Sequence, residues 1–496
     1  MQDFKDYMER INMFNQAMAI MGFDSEVFAP DGGLAQRAKR AGFFELEVYN
    51  MQTSDTMKGF LDKIATVLDT QDDIVKALYK KAKDSYYKKI KIPANIVEEY
   101  AKLTEESHDV WRKARKANDF AKFAPYLERI IELDMKKLEY RDPPSGGCKY
   151  DILLDDYEDD MTVDIYDKFF ATLKETVVPL IKKVMASKKK IDTSFKNIFV
   201  DIDTQREISE FISKKIGYDL NRGYIGEAAH PMCMGADSTD VRITTRYDET
   251  DFLSSLYSVL HECGHAIYEQ NAGDDIAGSY LGGGTSMGIH ESQSHFYENV
   301  IGRSLEFWEL ITPELKEILP AGFAHVTPQM FFEAANESKP SLIRVEADEL
   351  TYSLHVVIRY EIEKMLYSGQ CKIADLPQIW NKKYEEYLGL TPPTYADGIM
   401  QDVHWSLGYF GYFPTYALGS AYAAQFLFHM KKEMDVDALI RKGDFLKITN
   451  WLREKIHKHG SKYTPALLMQ KSFGEQLDAS HFAQYLTNKY SRLYEL

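Results

Sequence analysis

His261-Glu262-Cys263-Gly264-His265 sets two imidazoles four residues apart with a carboxylate beside the first. The surrounding stretch, residues 257 to 268, has the composition of a helix. On a helix, residues i and i+4 share a face, so both rings reach one ion. Glu262 projects from the adjoining face, where it reaches a water on that ion rather than the ion itself. Neutral imidazoles hold zinc without cancelling its charge, so the ion still acidifies a bound water. A carboxylate within hydrogen-bond distance then takes that water's proton.

This is the H-E-x-x-H pattern of zinc peptidases. Short motifs also arise by chance, and the chain has 13 histidines, so a third ligand has to decide between chemistry and coincidence. A second helix-like stretch, His290-Glu291-Ser292-Gln293-Ser294-His295, follows a loop with six glycines between Gly273 and Gly288. Glu291 is the natural third ligand. Two histidines and a glutamate leave a fourth position open for water, as catalytic zinc requires. The plainer alternative is a solvated glutamate in a first helical turn, where Glu is favoured. His290 and His295 are rival ligands that spacing does not separate from Glu291. Cys263 reads as packing rather than as a ligand.

The elements that must hold these residues belong to a chain of 496 residues, long enough for one large unit or two lobes. At 45% hydrophobic and 13% aromatic it can fill a sizeable core and is not a disordered chain. A net charge of -16 argues against nucleic acid or an anionic membrane as partner. Cys148, Cys233, Cys263 and Cys371 form no C-x-x-C pair, which suits a reduced, cytoplasmic protein. The first residues carry early acids and no apolar core, so no signal peptide is expected. No apolar run reaches membrane-spanning length.

Along the chain, Phe4, Met8, Ile11, Phe14 and Met18 recur at helical spacing. Helical pattern resumes over 34 to 68 with a break near Thr53-Ser54-Asp55, and again over 71 to 92 and 96 to 140. Arg141-Asp-Pro-Pro-Ser-Gly-Gly147 is the strongest loop signal, and a boundary near residue 141 is expected there. Acidic Asp155 to Asp160 reads as a surface loop, since it lacks the glycine and spacing of a calcium-binding loop. Val241 to Tyr247 alternates and is rich in β-branched residues, which predicts a strand whose edge could pair with an extended peptide. Residues 341 to 367 read as one long amphipathic helical segment carrying Arg344 and Asp348. Tyr-rich 408 to 416 suits either substrate contact or plain packing.

Several stretches, taken together, resemble the carboxypeptidase Taq family of metallocarboxypeptidases. They are His230-Pro231, Asp240-Val-Arg242-Ile-Thr244, His261 to His265, His290-Glu-Ser-Gln293, Ile343-Arg-Val-Glu-Ala-Asp348 and Gly398-Ile-Met-Gln-Asp-Val-His-Trp405. Trp111-Arg-Lys-Ala-Arg115 and Phe123-Ala-Pro125 match the family's N-terminal region. Each motif is weak alone; in this order over most of the chain they are specific. The sequence departs from the family at Met232, where an aromatic is usual, and at Phe23-Asp24 and Ala29-Pro30, where Trp-Asp and Met-Pro are usual.

The resemblance implies a mostly α fold. It would be a saddle-like helical metallopeptidase with a deep groove lined by a small β-sheet, similar to neurolysin and angiotensin-converting enzyme. Residues 1–140 would form N-terminal helices overhanging the groove, and 141–496 the catalytic body. It further implies a homodimer, zinc as cofactor (cobalt in some members), His261, His265 and Glu291 as ligands, and Glu262 as general base and later proton donor. Arg344 would hold the free carboxylate of a peptide substrate by a bidentate fork, with His230, Asp240 and Arg242 as further substrate-binding candidates. Tyr412 or Tyr416, with His404, are candidates to meet the developing oxyanion. Removal of single C-terminal amino acids is the expected reaction. An endo-oligopeptidase with the same chemistry, in which Arg344 only pairs with Glu346, Asp348 or Glu349 on its own helix, is the nearest alternative. A non-catalytic helical binding protein is the alternative of another class.

Overall fold

The structure is a computed structural model that describes the backbone of all 496 residues and every side chain except those of Asp31 and Ser145. The chain divides into two compact units. The first comprises Met1–Lys89, Ile191–Ala335 and Phe426–Gln476; the second comprises Ile90–Lys190, Asn336–Gln425 and Leu477–Leu496.

The first unit begins with helix Gln2–Val27, whose Phe4, Met8 and Ile11 are buried while Phe14 and Met18 pack beside them. Helices Leu34–Thr53 and Asp55–Ala65 are separated where the sequence predicts, because the Ser54 hydroxyl accepts the Met57 N–H and starts a new helix. These helices and Asp73–Ile90 close over one apolar core that also takes in Ile276 and Leu281.

The unit's sheet has three strands, β1 (Gly223–Glu227), β2 (Met232–Asp237) and β3 (Asp240–Thr245), in the order β1-β3-β2. β3 runs parallel to β1 and antiparallel to β2, with Ile243 opposite both Ile225 and Cys233. The strand expected from its β-branched alternation is therefore present, ending at Thr245. It is the central strand, however, and both its edges are already paired. Its edge cannot receive a peptide; the unpaired edges belong to β1 and β2. Helix Phe252–Gln270 packs on β3 and β2, with almost every residue buried except on the face that carries His261.

In the second unit, Ala94–Ala117 and Phe120–Leu138 are separate helices, not one segment. The break falls at Asn118, which adopts a left-handed conformation at φ 53. Helix Lys149–Tyr157 takes in Asp155 and Asp156, so the acidic run is partly helical; Arg141 pairs with Asp156. Residues 341 to 367 are likewise not one helix. Arg344–Glu346 is a single 3₁₀ turn, and Glu349–Tyr367 starts afresh because the Asp348 carboxylate accepts the Leu350 and Thr351 N–H groups. Among the described residues, no helix is long and apolar enough to cross a membrane.

Candidate metal centre

The metal motif is assembled by two helices of the first unit. Phe252–Gln270 is capped by Asp251, which accepts the Ser254 N–H, and Met287–His295 by Ser286, which accepts the Ile289 N–H. Their approach depends on Gly264. A Cβ there would lie 2.4 Å from the Gln293 carbonyl oxygen and 2.7 Å from Ser294 Cα, so any other residue would force the second helix away.

At this crossing, one ligand atom from each of His261, His265 and Glu291 lies within 4.8 Å of the others. Glu291 Oε2 stands 3.6 Å from His261 Nε2 and 3.8 Å from His265 Nε2. Tetrahedral ligands at zinc distances are about 3.3 Å apart, so a small inward movement closes the set. Ser294 donates to Glu291 Oε2 at 3.0 Å and steadies that carboxylate. Among the described residues this is the one cluster of His, Cys, Asp and Glu that could hold a metal ion. Cys263 is fully buried and takes no part in it.

The charges fit a cation. Burial alone would pull the His261 pKa down, but the Glu298 hydrogen bond and the Glu262, Glu291 and Glu298 carboxylates outweigh it and hold it at about 10. A site that demands positive charge on an imidazole is one a divalent cation satisfies. Burial likewise pushes the Glu262 carboxyl up to about 7, against the pull of His261. Such a value suits a group that takes a proton and gives it back near neutrality. Glu262 is 6% exposed and, with His261, His265, His290, Glu291, Met232 and Met287, borders a cavity of about 610 Å³.

Both metal-motif histidines have partners behind them that the sequence did not announce. Glu298 accepts from His261 Nδ1 at 2.9 Å. His290 Nδ1 lies 2.6 Å from His265 Nδ1, and its Nε2 donates to Glu269 at 2.7 Å. Gly284 makes room for His290: a Cβ at Gly284 would lie 2.5 Å from that ring, and its N–H donates to Glu269.

The remaining candidates fall into two groups. Asp240 and Arg242 form a two-point ion pair with each other at 2.6 and 2.7 Å and border a different cavity, of about 430 Å³, beside Phe28 and Tyr224. His230 is exposed, and its carbonyl oxygen accepts from Thr244 Oγ1 at 3.2 Å. Arg344, His404, Tyr412 and Tyr416 gather in the second unit. His404 Nε2 is 3.3 Å from the Tyr416 hydroxyl, the Tyr412 and Tyr416 rings meet edge to face at 5.1 Å, and the Arg344 guanidinium lies 4.9 Å over the Tyr416 ring.

Arg344 does not pair with Glu346, Asp348 or Glu349. Its Nε donates to Asp402 at 2.9 Å, its Nη1 donates to Tyr352 at 3.0 Å, and its backbone N–H donates to Gln401 at 2.9 Å. The reason is the 3₁₀ turn, which takes Arg344 off the following helix. Asp402 is shared with the fully buried Arg359, 2.6 Å away, and the two guanidiniums hold its carboxyl down at about 2 despite burial. Burial and the neighbouring cations push His404 down to about 4, so it is neutral near pH 7.

The geometry brings an H-E-x-x-H motif and a third carboxylate together on two helices beside a small sheet, a set that could hold a metal ion. A profile of the "Carboxypeptidase Taq (M32) metallopeptidase" family matches residues 3–490. The chain is 44% identical to "Carboxypeptidase 1" of Bacillus subtilis, over 100% of this chain and 99% of that protein. It is 37% identical to "Thermostable carboxypeptidase 1" of Thermus thermophilus, over 96% and 95%. Among solved structures, "Trypanosoma Cruzi Metallocarboxypeptidase 1" superposes with a TM-score of 0.93 at 33% identity, with 99% of each chain covered. This chain belongs to the carboxypeptidase Taq (M32) family of metallopeptidases.

Proposed function

We propose that this protein removes single C-terminal amino acids from peptides by metal-assisted hydrolysis, with His261, His265 and Glu291 as ligands. The convergence of those three side chains on one point carries the reading. Zinc, or cobalt in its place, would supply a water of lowered pKa and a Lewis acid for the scissile carbonyl. Glu262 takes the proton from the attacking water at its carboxylate and returns it to the leaving amine nitrogen. Burial, which keeps that carboxylate basic, supports the assignment. The substrate-recognition part rests on family membership: Arg344 holds the terminal carboxylate, and Tyr412, Tyr416 or His404 donates to the oxyanion. Burial holds the Tyr416 phenol well above its usual range, so it remains a donor. His230, Asp240 and Arg242 stand as further substrate contacts on the same basis. The likeness to neurolysin and angiotensin-converting enzyme and the homodimer belong to the same reading. The cytoplasmic location is supported by four cysteines that are all free.

One observation favours the endo-oligopeptidase alternative: Arg344 is 6% exposed and already paired with Asp402. Mass spectrometry of a peptide digested with and without a C-terminal amide separates the two. The carboxypeptidase yields a ladder of single-residue losses that the amide blocks; internal cleavage that ignores the amide rejects it. Arg344→Lys keeps the charge and removes the fork, so it raises KM for free-acid peptides if the assignment holds.

A further inference from the structure

Four histidines surround Glu291, and hydrogen-bond polarity distinguishes them. His295 Nε2 lies 3.7 Å from Glu291 Oε2, as near as the Nε2 atoms of His261 and His265. It nevertheless stands outside the set of ligand atoms that lie within 4.8 Å of one another.

Arg303 is where the polarity originates. Its Nη2 donates to Glu298 Oε1 at 2.9 Å, its Nε to Asn299 Oδ1 at 3.0 Å and its Nη1 to the Ala335 carbonyl at 2.5 Å. The guanidinium also lies 4.0 Å over the Tyr257 ring, so it is fixed on every side. Glu298 and Asn299 are adjacent in sequence. They lie in the π-helix Phe296–Gly302, and Arg303 caps its C-terminal end.

Arginine only donates. Asn299 must therefore turn its oxygen to Arg303 and its NH₂ to His295 Nδ1, 2.7 Å away. An NH₂ is only a donor, so His295 Nδ1 holds a lone pair and neutral His295 carries its hydrogen on Nε2. An N–H facing Glu291 is a hydrogen-bond donor and cannot coordinate. Glu298, the other group held by Arg303, only accepts. It takes the Nδ1–H of His261 and leaves the Nε2 lone pair free for a cation. On the other side of the cluster, Glu269 accepts from His290 Nε2, and His290 Nδ1 lies against His265 Nδ1.

We propose that Arg303 is a positioning residue that sorts the histidines around Glu291, making His261 a ligand through Glu298 and His295 a donor through Asn299. The inference rests on the metal-centre reading above.

Two variants test it with zinc and cobalt alone, without substrate. Arg303→Met removes the donors and keeps the bulk; zinc affinity, measured by chelator competition, falls about 10- to 100-fold, and Arg303→Lys recovers part of it. Asn299→Asp reverses the polarity, because a carboxylate draws the hydrogen of His295 to Nδ1 and frees Nε2. The Nε2–H that faces Glu291 is then lost, and the visible d–d absorption of the cobalt-loaded variant shifts from the wild-type spectrum. Wild-type affinity in Arg303→Met together with an unchanged cobalt spectrum in Asn299→Asp overturns the proposal. A wild-type protein that binds neither ion overturns the metal centre itself, a distinct result.

Discussion

At the scale of single residues, the site works because burial and charge oppose each other. Glu262 is the sharpest case: burial raises its carboxyl to about 7 against the pull of His261. Glu262→Gln keeps the shape and removes the base. Peptide hydrolysis falls about 10²- to 10⁴-fold while zinc content stays at the wild-type level, read by steady-state kinetics beside metal analysis.

A second buried carboxylate gives a pH prediction. Glu363 is fully buried and accepts from Tyr150, Trp405 and the Gly411 N–H at 2.7, 2.7 and 2.8 Å. Burial raises its pKa to about 7 in spite of these donors. The folded state therefore keeps the proton longer than the unfolded chain. Its stability contribution is whole below the ordinary carboxyl range and is lost as pH rises through 7, by about 3 kcal/mol in all. Urea unfolding between pH 5 and 8 shows a decline that Glu363→Gln flattens. The variant is also weaker at pH 5, where its amide NH₂ faces one of the three donors.

At the scale of elements, the proposed metal centre lies at a crossing of two helices, and Gly264 sets how close they come. Gly264→Ala drives a Cβ into the backbone of residues 293 and 294, so it destabilises the protein by about 1–3 kcal/mol and weakens zinc binding with it. Gly59→Ala is the control. It meets open space within helix Asp55–Ala65, and it stabilises by about 0.5–1 kcal/mol. Thermal unfolding of both variants checks the contrast.

This is also where the sequence stopped being legible. Spacing was enough to put His261 and His265 on one face, because i and i+4 share a face in any helix, but it did not separate Glu291 from His290 and His295. It showed the break at Ser54, because a capping residue marks it. It did not reveal that β3 is central, since alternation reports two faces and says nothing of neighbours. It missed the start of a new helix at Asp348, and with it the partner of Arg344: Asp402, 58 residues further on, which no local rule connects to it. Glu298 lies in a π-helix and Arg303 at its C-cap, a local structure outside the periodicities used to read helices.

At the scale of the whole molecule, the ligand candidates and their supports, Glu269, Glu298 and Arg303, lie within the first unit. Metal binding is thus a stabilisation of that unit, worth about 4 kcal/mol at a thousandfold excess over Kd. Hydrogen exchange with and without zinc reads it by region: protection rises most over 252–270 and 287–302. The Arg344–Asp402–Arg359 cluster belongs to the second unit, and the slowest amides of Glu349–Tyr367 change little.

The central claim is that two imidazoles and one carboxylate hold the ion, and X-ray absorption at the zinc edge of the loaded protein tests it most directly. The spectrum should fit two histidine nitrogens near 2.0–2.1 Å plus oxygen donors, with no sulfur, and Glu291→Gln should alter the oxygen shell. A sulfur scatterer near 2.3 Å, or a third imidazole in the wild type, would contradict the account.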